Sequence, residues 1–322
     1  MPHTYYQSLP PWVRRVVGIV TRLSALAVLA WMLYVTYQQR DILFEALRLR
    51  PGYALPFVAC YVLGFLAAAA SWHKLLALLS ARYTFIDDYA MYTYMSAYRH
   101  IPIPYSRFAS LLYNYQQMGT GYRAIGVAIV ITAVLHIVAG LLVFCGSLLS
   151  GVDLIPNNYI IIVLVAGACI ASALHPRIFR RLVLLRGGST NVEFPPITWR
   201  TSTLLVGLNL IVLLLGGTSL YFAALMIMEV PLSLLPVCIG TWGLMVSTLN
   251  MLSWLPADFG ATRALFVLLL QGYMPIGLAT AFFATFRVGL VVLDLINAGS
   301  MLLWRTWNAK RATVDPPTDE EM

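Results

Sequence analysis

The sequence predicts an all-α polytopic membrane protein: about six transmembrane helices plus two opposed re-entrant helical hairpins, arranged as an inverted repeat. Three observations carry this. Of the 322 residues, 60% are apolar and 11% charged, against about 25% charged in soluble domains, and the mean hydropathy is +0.78. Several windows run for roughly 18 residues or more with almost no charge, the length that crosses a bilayer. Two stretches then interrupt long apolar runs with prolines and charged side chains, one around Pro102 and Pro104, the other around Pro256 and Gly260.

Residues 1–15 read as a short cytosolic lead, with Pro10, Pro11, Trp12, Arg14 and Arg15 as an interfacial anchor. No small-residue cleavage site follows the first apolar run, so a cleavable signal is not expected. Spans are expected at 16–37, 53–71, 124–149, 159–174, 202–227 and 276–304, within a membrane domain of 16–305. Residues 72–123 are too apolar for a free loop and dense in tyrosine, yet contain no uninterrupted span. The prolines at 102 and 104 disfavour helix at and before themselves, which predicts two short helices near 86–99 and 105–118. Residues 231–253 and a short helix ending near Gln271 flank the second break. The tail 306–322 is charged and proline-containing, the composition of a disordered cytosolic segment.

Charge sets the expected topology. The loop 175–200 holds five arginines and the tail holds Arg305, Lys310 and Arg311, so both belong in the cytosol. The turns 150–158 and 228–231 hold no Lys or Arg and belong outside. Segment 72–123 then enters from the cytosol and returns to it, and segment 231–272 enters and leaves on the outside. Both termini fall in the cytosol of an inner (cell) membrane. Loop 38–52 is the misfit: it should be outside but carries Arg40, Arg48 and Arg50. The net charge of +8 is accounted for by topology and lipid headgroups rather than nucleic acid. Cys60, Cys145, Cys169 and Cys238 lie in apolar runs and read as small buried hydrophobes.

The halves, about 53–149 and 202–304, also share an order of features. Ser106-Arg107 follows the first break and Thr262-Arg263 the second. Ile125-Gly126 and Ile276-Gly277 open the next spans, and His136 and Arg287 sit within them. Opposed hairpins are what inverted repeats of transporters produce, and non-helical backbone at membrane depth is tolerated only inside protein or against a water-filled cavity.

These residues resemble the transmembrane domain of lysylphosphatidylglycerol synthases and the wider flippase-like family of bacterial and archaeal membrane proteins. The family's proline–glycine segment before a short basic helix is matched by His100-Ile101-Pro102-Ile103-Pro104. Its second glycine-rich segment is matched by Pro256 to Arg263, with Arg287 in the following span. Departures are Ile103 in place of a glycine, Arg263 in place of an acid, and Thr132 near the place of another acid. The resemblance implies lipid binding or translocation between leaflets. The chain ends at Met322, so the soluble aminoacyl-transfer domain of the synthases, and lysyl transfer, are not expected.

Candidate headgroup-binding residues are Arg263, Arg287, Arg99, Arg107, Asp258 and His136; Pro102, Pro104, Pro256 and Gly260 are the helix breaks. An arginine at mid-span costs at least about 2.5–3.5 kcal/mol to insert, so Arg287 needs either a lipid phosphate or an acid such as Asp258 or Asp294. Asp258 either completes an anion site or caps the short helix. Arg99, His100 and Arg107 contact phosphate or anchor the interface, and the tyrosines of 83–122 read mostly as interfacial packing. His136 is a proton relay or a hydrogen-bonded interior histidine. Asp87-Asp88 lacks a second cluster of metal ligands, and no catalytic motif, metal site or cofactor is read. The expected partner is an anionic phospholipid or lipid-linked substrate, with a second copy or a membrane partner as further contacts. The rival readings are a lipid-linked headgroup or sugar transferase and a structural subunit of a membrane complex.

Overall fold

The computed structural model describes Tyr37 and residues 50–79, 83–98, 106–150, 198–251 and 261–314. The expected spans 16–37 (apart from Tyr37) and 159–174 lie outside the described residues. Within them the chain is helical, with no strand. A 3-10 turn at Pro51–Tyr53 leads into α1 (Ala54–Leu78), followed by α2 (Phe85–Tyr98), α3 (Ser106–Gln117), α4 (Tyr122–Leu149), α5 (Trp199–Ile227), α6 (Leu234–Met251), α7 (Ala261–Leu270) and α8 (Ile276–Val314).

Among the described residues, five segments are long and apolar enough to cross a membrane: Pro51–Leu78, Ala124–Leu149, Trp199–Ile227, Leu234–Met251 and Ile276–Trp307. Four coincide with expected spans. The fifth is α6, read from sequence as one arm of a hairpin. Its 18 residues make about 27 Å of helix, the lower limit for a bilayer core of about 30 Å. α1 runs past the expected end at residue 71 because Trp72, Leu75 and Leu76 extend its buried face. α8 has 39 residues, about 58 Å of helix, and runs past Arg305 to Val314.

The chain divides into two compact units. The first takes in residues up to 61, 133–172 and 213–286. In it α6 is seated on glycines. Gly140 of α4 faces Gly243 and Ser247 of α6, and Gly216 and Gly217 of α5 face Trp242 and Ile239. A Cβ at Gly140, Gly216 or Gly217 would overlap those atoms. The Ser247 hydroxyl donates to the Ile137 carbonyl across the α4 contact at 3.1 Å. Small residues let helix backbones approach where apolar burial cannot drive association. Phe286 meets Phe57 and Trp242 edge-on, at 6.2 and 5.4 Å between ring centres. Phe266 of α7 packs on Phe282 and Phe283 of α8, and α6 and α7 pack against each other. The Arg50 N–H donates to the Met226 carbonyl at 2.8 Å, its guanidinium pairs with Glu229, and Ser219 donates to the Phe57 carbonyl. The first turns of α1 therefore run antiparallel to the last turns of α5.

The second unit takes in 62–132, 173–212 and 287–322. Its α2 and α3 form an antiparallel pair: Asp88 meets Tyr115, and Tyr83, just before α2, meets Met118 and Thr120, just after α3. Helices near the predicted 86–99 and 105–118 are thus present. α2 also lies antiparallel along α8, Asp87 bonding Arg305 and Ser96 bonding Asp294. α1 and α5 join through Asn209, which donates to Ser71 Oγ at 2.9 Å.

The glycine notches predict a position-specific cost. Gly140→Ala and Gly217→Ala should each lower stability by about 1–3 kcal/mol through overpacking. Gly126→Ala and Gly207→Ala, which meet nothing within 4 Å, should be neutral or stabilising by about 0.5–1 kcal/mol. Thermal unfolding of the four variants in detergent measures the difference.

Candidate functional site

The polar centre of the second unit is Asp88. Thr84 caps α2, its Oγ1 accepting the Asp87 N–H at 3.3 Å and donating to Asp87 Oδ2 at 2.6 Å. Two acids in the first turn suit the positive end of the helix. The cap turns Asp88 inward, where it is 1% exposed. Both its oxygens are engaged. Tyr115 Oη donates to Oδ1 at 2.6 Å and His73 Nδ1 lies 2.6 Å from Oδ2. Tyr115 in turn accepts from Trp72 Nε1 at 2.9 Å. His73 keeps a quarter of its side chain exposed, with the Phe85 ring edge-on at 5.7 Å.

α3 delivers Tyr115 through its own ending. Gly119 has φ 85°, the left-handed conformation that suits glycine. The Thr120 N–H reaches the Tyr115 carbonyl and the Gly119 N–H the Gln116 carbonyl, the paired bonds of a Schellman cap. That cap brings Thr120 Oγ1 to the Tyr83 hydroxyl, which also donates to the Met118 carbonyl at 3.1 Å. At the same end, Arg305 of α8 bonds Asp87 at 3.0 Å and lies over the Tyr94 ring at 6.0 Å. Further along α2, Ser96 donates to Asp294 Oδ1 at 2.8 Å, and Asp294 is also 1% exposed. Tyr89 donates to Asn297 at 2.9 Å.

Of the residues singled out from sequence, Arg99, His100, Pro102, Pro104, Pro256, Asp258 and Gly260 lie outside the described residues. Arg107 sits in the first turn of α3 and Arg263 in the first turn of α7. His136 is half-buried on α4 and Arg287 half-buried on α8. Arg287 and the helix that Arg107 opens belong to the second unit, His136 and the helix carrying Arg263 to the first. Asp294, weighed as a partner for Arg287, takes the Ser96 hydroxyl.

Sequence reasoning missed the Asp88 network. It took the tyrosines of 83–122 mainly as interfacial packing. That suits Tyr98, Tyr113 and Tyr122, which are exposed, but not Tyr115, which is fully buried. The available signal was an aspartate pair placed after a threonine in an apolar segment, with His73-Lys74 closing the preceding helix. Chemically, a carboxylate held between an imidazole and a phenol can store or pass a proton. Among the described residues no group of three or more His, Cys, Asp and Glu side chains is placed to hold a metal ion.

Tyr115→Phe leaves Asp88 Oδ1 and the Trp72 N–H without their partner and should cost about 1–3 kcal/mol. Arg305→Ala breaks a pair whose members are each about a third exposed and should cost no more than about 1 kcal/mol. Denaturant unfolding in mixed micelles compares the two. No family model, curated protein or solved structure matches this chain.

Proposed function

We propose that the chain binds the headgroup of an anionic lipid and carries it between leaflets without covalent chemistry, using six spans and two re-entrant helical pairs. The observation that carries this reading is the antiparallel α2–α3 pair. Its helices have 14 and 12 residues, about 21 and 18 Å long, too short to cross a core of about 30 Å. Their outer ends meet through Tyr83, Met118 and Thr120, so the pair leaves on the side from which it entered. α2 runs from the Arg305 end of α8 toward its Arg287 end. On this reading Arg287, half-buried on α8 within the second unit, is the basic residue that meets the headgroup. Polar groups inside apolar helices, such as Asn209 with Ser71 and Asp294 with Ser96, are the usual lining of substrate paths.

The ion pair between Arg50 and Glu229 supports the topology. It neutralises an arginine of the misfit loop and ties it to the turn 228–231, which carries no Lys or Arg. Both then sit outside, Arg305 and the start of α2 in the cytosol. The resemblance to the lysylphosphatidylglycerol synthase membrane domain leads to the same reading. One observation favours a second reading, a headgroup transferase: Asp88 and His73 are the acid–base couple such an enzyme needs. Mass spectrometry of lipids incubated with the protein and a headgroup donor would reveal the transferred group.

Two measurements test the proposal. In a cysteine-free background, Glu229→Cys and Gln271→Cys should react with an impermeant maleimide from outside, and Gly121→Cys only from the cytosol. Labelling of Gly121→Cys from outside would make α2–α3 a crossing and remove the re-entrant pair. In vesicles, the protein should speed exposure of fluorescent phosphatidylglycerol to an external quencher, and Arg287→Ala should slow this at least about tenfold, the loss expected for a desolvated charge contact. Unchanged exposure with the protein present rules out translocation.

A further inference from the structure

We infer that His73 and Asp88 form a proton-binding site at the Lys74 and Arg305 end of the second unit, loaded through the partly exposed His73 ring, and that loading accompanies the anionic lipid. The second half of this rests on the lipid reading above; the first does not. Geometry carries the first. Asp88 is almost completely buried and both its oxygens are engaged, Oδ1 by Tyr115 and Oδ2 by His73 Nδ1, each at 2.6 Å. Where the carboxylate is ionised it only accepts, and Nδ1 is then the ring nitrogen that carries the hydrogen. The second ring nitrogen, Nε2, is then the place where a proton arrives or leaves. Adding one there disturbs neither bond to Asp88. It turns a buried net charge of −1 into a neutral pair.

The neighbouring charges leave this to the pair. From α1, Lys74 is adjacent and exposed, and Trp72 donates to Tyr115. From the segment before α2, Tyr83 stacks near Tyr115, 5.5 Å between ring centres. From α2, Asp87 is engaged by Thr84 and Arg305. From α3 comes Tyr115, and from α8 Arg305, which spends its contacts on Asp87 and Tyr94. Among the described residues, His73 is the basic side chain that meets Asp88. Without the proton, the unit presents a buried negative charge to an anionic headgroup. With it, that charge is gone, so proton and lipid each favour binding of the other, by the same factor.

The test separates the two halves. Protein with nitrogen-labelled histidine is placed in phosphatidylcholine nanodiscs, and ring signals are followed by NMR from about pH 5 to pH 8, the range in which histidine charge changes. His73→Gln identifies the signal among the five histidines. The His73 ring should pass reversibly between the Nδ1–H tautomer and imidazolium, and Asp88→Asn should alter that passage. A ring that keeps one protonation state throughout overturns the site, and so does a midpoint indifferent to Asp88→Asn. If that variant fails to fold, the wild-type titration alone decides. Short-chain phosphatidylglycerol is then added in weak buffer near neutral pH. Wild type should take up protons as it binds and His73→Gln should not. Binding without uptake overturns the coupling. A titrating ring with no phosphatidylglycerol binding refutes the lipid reading and leaves the proton site standing.

Discussion

A carboxylate shut away from water must find all its partners inside the protein, and the second unit is arranged around that requirement at Asp88. Desolvating an ion costs several kcal/mol, returned only when geometry and hydrogen bonds are good. Meeting it draws in the end of α1 through His73, the body of α3 through Tyr115, and Trp72 behind Tyr115. The Schellman ending of α3 and the Thr84 cap of α2 then follow as the local devices that aim these side chains. Ser96 with Asp294 and Asn209 with Ser71 meet the same requirement further along α8 and α5.

The first unit is held differently. Its described contacts are mostly shape: glycines of α4 and α5 against α6, and aromatic edges around Phe286 and Phe266. Where lipid is as apolar as leucine, close backbone approach and dispersion replace hydrophobic burial. Such a contact resists change of volume, whereas a buried ionic network resists change of charge. A unit organised by charge is the natural place for a function that turns on an anion or a proton, which is why both proposals fall on the second unit.

Much of the helix layout was legible in the sequence. The two short helices expected on either side of Pro102 and Pro104 are present as α2 and α3. Long uncharged runs marked α1, α4, α5 and α8. Boundaries were less legible: α1 runs on because packing beyond its expected end, at Leu75 and Leu76, outweighs local polarity, and α8 runs on past Arg305, which bonds Asp87. Gly216-Gly217 forms a notch in an unbroken helix, since a missing Cβ costs some helix propensity but admits Ile239 and Trp242. Arg50, part of the loop that did not fit the charge-based topology, pairs with Glu229, far along the chain. Of the candidate site, Arg287 and His136 stood out because intramembrane bases are expensive, whereas Asp88 did not, because its partners lie fifteen and more residues away.

By itself the sequence determined the class: an apolar, sparsely charged chain, with periodic breaks, has to satisfy its backbone within helices. Composition and proline position act locally, so they can be read without knowing any neighbour. Tertiary structure decided which polar residues form a site. Whether an aspartate is a part-exposed first-turn acid, like Asp87 with Thr84 and Arg305, or a buried centre, like Asp88 with His73 and Tyr115, depends on which helix face is covered and by what. Two adjacent, identical residues on one helix received opposite surroundings because their side chains point about 100° apart around its axis.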